Sequence, residues 1–439
     1  MSDRTMHLLG FMLNNPISHS ALSWADPDDG RAEGFSEPAY WQNVAQVLER
    51  GRFDGIFFAD APFAMDTYKS SLDAAVRYAI GFPTHDPLPL VPIMALATQH
   101  LGFAVTMSTN FAPYSLVRTF GTLDHLTNGR VGWNVVTDFH KNLALNLGLK
   151  DLPPHDKRYD RADEYMEVCE KLWNSWEPDA VVVDRDGLMY ADPAKVHRID
   201  HDGEYFSCIG PSAVEPSPQR KPVIFQAGSS PRGRNFAAEH AEVAFSIQRT
   251  PEGMRSFTDD MAKRVADAGN DPKRFKVLFG LMPIVGDSDQ HAAERLEEMQ
   301  DRVPLEASLA RLSSGFGVDL DGWDLDAPLE HREVPGVQGM MDMFTKMMPG
   351  KVPTLREAAR VYGFSIGMPT VVGSAETVAA TLEEYLHEGG GNGFNISVPT
   401  CPAGFERFVD GVVPILQDRG VLRTEYVDGQ TFRERLLDG

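Results

Sequence analysis

Short apolar runs that end in polar or small residues recur along the chain, each followed by apolar residues at helical spacing. Met6–Leu13, Asp54–Asp60 (DGIFFAD), Leu101–Ser108 (LGFAVTMS) and Arg130–Thr137 read as four buried strands. Between them, Trp41–Arg52 repeats Val44, Val47 and Leu48 on one helical face and can stop at Gly51, and Leu88–His100 and Tyr114–Thr127 are helical. The rhythm resumes after Lys221. Strands are predicted at Val223–Ala227, Val243–Gln248, Phe275–Val285 and Phe394–Val398, with helices such as Glu252–Ala268 and Ala375–His387 between them. Such alternation implies a parallel sheet. Eight strands are the number of a TIM (β/α)8 barrel, an α/β fold. An open doubly wound sheet is the competitor; the phosphate-binding GxGxxG that would favour it is absent after the first strand.

Three stretches break the rhythm. Ala61–Pro87 lacks periodicity and reads as a long loop carrying Tyr68, Arg77 and His85. About 177–220 is rich in Pro, Gly and Asp and reads as a short β-rich excursion; about 304–367 holds Met340, Met341, Met343, Met347 and Met348. Both are expected to be insertions in a single barrel domain spanning 1–439, and long insertions after barrel strands often serve as lids or pockets. The methionines read as helix packing more readily than as a substrate surface.

Net charge narrows the partners. At -22 the chain offers no basic face for phosphate backbones, so nucleic acid is not expected. Cys169, Cys208 and Cys401 are scattered and suggest neither disulfides nor zinc. No apolar run reaches the roughly 18 residues of a membrane span and no secretory signal is evident, which predicts a cytoplasmic protein without a membrane partner.

Chemistry in parallel α/β folds gathers where strands end. No His-x-His pair marks the first strand, and His197 and His201 lie in a loop-like insertion, so no metal site is predicted. A GxSxG elbow is also missing. What remains is neutral donors with a carboxylate. Ser229 and Ser230 end a strand and, with Pro231, begin a helix whose free N–H groups suit an anion such as phosphate; Arg232 or Arg234 can add charge. Plain capping by Ser230 explains the same residues. Asp60, Thr106 and Asn134 lie on or near strand ends, and the Asn134 amide could face a flat heteroaromatic or be satisfied inside the barrel. His155 and Tyr159 fall one helical turn apart and could reach a phosphate or ribityl chain, or simply begin an exposed helix.

GRVGWNVVT, HDKRYDRADEYMEVCEKLW, EPSPQRKPVIFQAGSSPRGRNFAAEHAE and GFNISVPTCPAGFERFVDGVVPILQDRG together resemble the nitrilotriacetate monooxygenase group of the bacterial-luciferase-like superfamily. That group includes flavin-dependent enzymes acting on aminopolycarboxylates, dibenzothiophene sulfone and long-chain alkanes. The resemblance runs from about Leu8 to about Leu437. It implies a TIM barrel, reduced FMN (FMNH2) as a diffusible co-substrate, O2 as oxidant through a flavin 4a-hydroperoxide, and a small-molecule substrate. It also implies a separate NAD(P)H-dependent flavin reductase and a homodimer or homotetramer. Carried over by position, the flavin phosphate falls to Ser229 and Ser230, with His155 and Tyr159 near the ribityl side. Asp60, Thr106 and Asn134 fall at the ring end. His19 matches the group's pocket histidine and is the candidate acid/base or hydrogen-bond donor, ahead of His140. Asp138 stands where serine commonly follows WNVVT, Phe139 follows it, and the first loop reads NNPISHSALSWADPDD; these departures face the substrate. Phe11, Trp24, Phe63, Phe111 and Phe139 lean the substrate toward an apolar or sulfur-containing molecule. A deazaflavin-dependent dehydrogenase or reductase on the same barrel, and a non-catalytic flavin-binding homologue, are the alternatives.

Overall fold

The computed structural model describes residues 5–138, 140–330, 334, 336, 341, 344–345 and 352–438. Eight parallel strands form its centre: β1 (His7–Met12), β2 (Gly55–Phe58), β3 (Gly102–Ser108), β4 (Val131–Val136), β5 (Val223–Gln226), β6 (Val243–Ser246), β7 (Lys276–Gly286) and β8 (Gly393–Ile396). Neighbours pair in chain order, and β8 lies between β7 and β1. Pairing of β6 with β7, from Val243↔Lys276 to Ser246↔Phe279, closes the ring. The expected barrel is therefore present. A further strand, Thr370–Ser374, pairs with the far half of the long β7 and was not anticipated.

Strands buried on both faces are nearly all apolar. Leu8, Ile56, Val105, Trp133, Ile224 and Phe394 turn outward under the helices, while Leu9, Phe57, Ala104, Phe225, Phe245 and Leu278 fill the barrel. The surrounding helices include α1 (Pro38–Arg50), α2 (Pro113–Leu126), α3 (His155–Trp173), α4 (Pro231–His240) and α5 (Pro251–Asp267). Further along come α6 (Leu305–Phe316), α7 (Leu355–Ser365) and α8 (Ala375–Gly389). The stretch read as a loop at Ala61–Pro87 contains a short helix, Asp73–Tyr78. Within 177–220 lie two antiparallel ladders, Val181–Asp184 with Met189–Ala191 and His201–Asp202 with Ser207–Cys208. In 304–367, α6 and α7 share a satellite core with Tyr68, Ile80, Phe316 and Met341. Met340, Met343, Met347, Met348 and Phe139 lie outside the described residues.

The barrel is stoppered where its strands begin. Phe432 and Leu436 of the C-terminal helix Phe432–Leu437 enter the interior core. A Cβ on Gly102 would stand 2.4 Å from the Phe432 ring, so only glycine lets the stopper seat. Asp54, fully buried, ties this end together. Its carboxylate accepts from Leu8 N at 3.0 Å and pairs with Arg423 at 2.7 Å and His7 at 3.2 Å, and Arg435 donates to its carbonyl at 2.9 Å. Burial raises the Asp54 pKa, but Arg423, His7 and Arg435 outweigh it and hold the carboxyl down to about 2. Its stabilisation is therefore complete above the ordinary carboxylate range and is lost as pH falls through about 2. Asp54→Asn leaves two buried guanidinium groups uncompensated, and we expect a loss of about 3–5 kcal/mol in denaturant unfolding together with a weaker acid-unfolding transition.

Candidate active site

At the carboxyl ends of β2, β4 and β5 lies a cleft of about 320 Å³ lined by Asp60, Phe63, Asp138, His155, Arg158, Tyr159, Ser229 and Ser230. A wider groove of about 550 Å³ sits where strands begin, walled by the ion pairs Lys221–Glu170 and Arg433–Glu242. Strand-end chemistry selects the smaller one.

The β5 exit is built around a helix start. Ser230 is extended (φ -68, ψ 157) and its Oγ accepts from Gly233 N at 3.0 Å, while Pro231 occupies the first turn. The capping expectation is thus met; Pro231 has no N–H and Arg234 N bonds to Ser230 O at 2.9 Å, which leaves Arg232 N as the first-turn donor of α4 for a ligand. Ser230 Oγ also lies 3.3 Å from His155 Nε2, bringing α3 and α4 together. A Cβ on Gly233 would stand 2.6 Å from the Tyr159 hydroxyl and 3.1 Å from Ser230 Oγ, so glycine permits this approach. The buried Tyr159 hydroxyl bonds with Thr137, Gln226 and Ser230, and burial pushes its pKa up. Arg232 and Arg234 do not supply free charge here: Arg232 pairs with Asp163, and Arg234 with Asp260 at 2.9 Å. The cleft's cation is instead Arg158, which the sequence reading passed over. It donates to Asp138 O, while its buried Nε has no partner among the described residues. Its signal was its place between His155 and Tyr159 in HDKRYDR.

Thr106 and Asn134 are not in the cleft lining; they lie in the barrel wall beneath it. Asn134 Nδ2 donates to Thr106 Oγ1 at 2.8 Å, which donates to Phe58 O at 2.7 Å. Asn134 Oδ1 is buried and has no partner among the described residues. Such an orphaned acceptor is costly unless a ligand donor meets it.

Asp60 ends β2 in the cleft. Burial, reinforced by the charges of Asp86 and Asp138, pushes its pKa up to about 7. Asp138 has φ 58 and is held by Ser108 and by Asn110 Nδ2 at 2.6 Å. His140 stacks on Phe63 at 4.0 Å, and burial lowers its pKa.

His19 sits on the β1 side of the mouth and is not part of the cleft lining. Its ring stacks on Phe11 at 3.8 Å, and Nδ1 lies 2.8 Å from Ser397 Oγ. Nε2 is buried without a partner among the described residues. Burial, then Arg311 and Arg31, hold its pKa well below the usual range. The imidazole is therefore neutral at neutral pH, which suits hydrogen bonding rather than proton delivery. Elsewhere, Asp163, Glu239 and His240 bring potential ligand atoms within 4.8 Å between α3 and α4, where Arg232 pairs with Asp163.

Among known proteins, residues 17–393 match the luciferase-like monooxygenase family. The chain is 41% identical to dibenzothiophene-sulfone monooxygenase of Rhodococcus erythropolis (strain XP), covering 99% of this chain and 96% of that protein. It is 35% identical to nitrilotriacetate monooxygenase component A of Aminobacter aminovorans, covering 98% and 95%. A crystal structure of riboflavin lyase with modified FMN and substrate riboflavin superposes with a TM-score of 0.91 at 32% identity, over 99% of this chain and 96% of that one. These likenesses run through nearly the whole length, and the chain belongs to the luciferase-like monooxygenase family.

Proposed function

We propose that the chain is the oxygenase component of a two-component monooxygenase. It takes FMNH2 from a separate NAD(P)H-dependent reductase and uses O2 to oxygenate a small organic substrate at a C–N, C–S or alkyl position. The observation that carries this reading is the helix start at Ser229–Ser230 facing His155, Tyr159 and Arg158 across one cleft. A phosphate suits those donors. The orphaned Asn134 Oδ1 suits a ring N–H, with Thr106 fixing the amide, and a protonated Asp60 can donate to a ring carbonyl. Reduced FMN, when bound, supplies the activation of O2. The relatives support a divided enzyme and a flavin: one is named component A, and a structural neighbour contains modified FMN.

The residues of this chain position and exclude. Ser229, Ser230 and Arg158 hold the phosphate, and Tyr159 and His155 flank the adjoining chain. His19 presents Nε2 as a fixed hydrogen-bonding group toward substrate. Helices α6 and α7, the described helices of the 304–367 insertion, serve as the cover that keeps water from the reacting centre. Among the described residues no helix is long and apolar enough to cross a membrane, in keeping with a cytoplasmic oxygenase. A homodimer or homotetramer is the proposed assembly.

Oxygen uptake is the test. With FMN, NADH and a separate flavin reductase, uptake with peroxide scavenged is expected to rise with substrate and match product. Flavin-independent turnover, or hydride transfer without oxygen, contradicts the reading. A second prediction concerns Asp60. With its pKa raised to about 7, the apo fold loses stability as pH rises from the ordinary carboxylate range through about 7. Asp60→Asn is expected to flatten that part of a thermal-unfolding pH profile and to remove an ionisation near neutrality from the kcat/KM profile.

A further inference from the structure

Helix α6 is buried along its length from Ala307 to Phe316, and most of its residues are small: Ala307, Ser308, Ala310, Ser313, Ser314 and Gly315. In its middle stands Arg311, only 6% exposed. A guanidinium has five N–H donors. Arg311 uses one, from Nη1 to His19 O at 2.8 Å, and no carboxylate pairs with it among the described residues. The other buried arginines are provided for. Arg31 pairs with Asp29, Arg435 lies beside Asp54, and Arg433 pairs with Glu242. Arg130 lacks a paired acid but donates from Nε, Nη1 and Nη2 to carbonyls of Thr127, Leu101 and Ala95 and to Thr98 Oγ1. Among the described residues Arg311 has neither kind of compensation. Burial lowers its pKa only to about 10, so it carries its charge at neutral pH.

An uncompensated buried cation is costly to a fold. Its surroundings say what it is for. The carbonyl it holds belongs to His19, whose Nε2 is a second buried polar atom without a partner among the described residues. Under the His19 ring lies Phe11, in contact with Phe245 at 4.9 Å. One cation, one imidazole nitrogen and an apolar floor thus adjoin at the rim on the β1 side, away from the helix start that suits a phosphate.

We propose that Arg311 anchors a carboxylate of the substrate, so that the site takes a small organic acid with an apolar or thioether body. The carboxylate binds Arg311 and His19 Nε2, and the body extends from there into the barrel mouth. This adds an anionic end to the apolar or sulfur-containing molecule toward which the aromatic residues of the mouth lean. The family spans both classes, since one relative is named for a neutral sulfone and another for the polyacid nitrilotriacetate. The substrate class rests on the flavin reading for what is oxidised, whereas carboxylate binding at Arg311 does not.

The test uses thiodiglycolate, succinate and benzoate as acidic probes and thiodiglycol as the neutral counterpart, by thermal shift and calorimetry with and without FMN. Wild type is expected to bind at least one acid and to prefer thiodiglycolate over thiodiglycol. Arg311→Met is expected to weaken the acid by about tenfold or more, with Arg311→Lys recovering part. Without ligand, any fall in the melting point of Arg311→Met reports the lost bond to His19 O and is read separately from acid binding. The proposal is overturned if no acid binds wild type, or if Arg311→Met binds acids as wild type does. Flavin fluorescence quenching on the same proteins separates the two claims. FMN that fails to bind wild type sinks the flavin reading and leaves the carboxylate result to be judged by itself.

Discussion

Closure of the sheet between β6 and β7 is the constraint on which the rest depends. Because every strand of the ring is parallel, all eight carboxyl ends open on one rim. Residues as distant in sequence as Asp60, Asn134 and Ser230 become neighbours of one mouth without any local motif joining them. The other end is plugged by Phe432 and tied together by the Asp54 ion-pair cluster. Stability and chemistry are thus placed at opposite ends.

The unpartnered groups at the rim form two sets. Around β4 and β5 they are neutral donors and acceptors with one cation, Arg158, suited to a phosphate and a flat polar ring. Around β1 and α6 they are Arg311 and His19, suited to a carboxylate. Asp60 lies in the first set, where burial and the charges of Asp86 and Asp138 push its pKa up to about 7 and so limit negative charge in the cleft.

The barrel was legible because strands buried on both faces are continuous apolar runs, and each expected strand has a counterpart within a few residues. Ser230 was legible because a cap followed by proline has a local signature. Helix α6 was not singled out, because it lies inside the stretch 304–367 that was read as one insertion. Arg158 and Arg311 escaped notice for a different reason. What distinguishes them is the absence of a paired carboxylate among the described residues, and Arg311 meets His19 across 292 positions of sequence. Arg232 and Arg234 show the converse, since they looked available in the motif and are paired in the fold.

The central claim is that a flavin phosphate is held at the start of α4. The most direct measurement compares equilibrium binding of FMN and riboflavin to wild type and to Ser230→Glu. Phosphate recognition predicts that wild type prefers FMN by about tenfold or more, and that a carboxylate at position 230 abolishes the preference by repulsion while leaving riboflavin binding nearly unchanged. Equal affinity for FMN and riboflavin in wild type, or an undiminished preference in Ser230→Glu, would contradict the account.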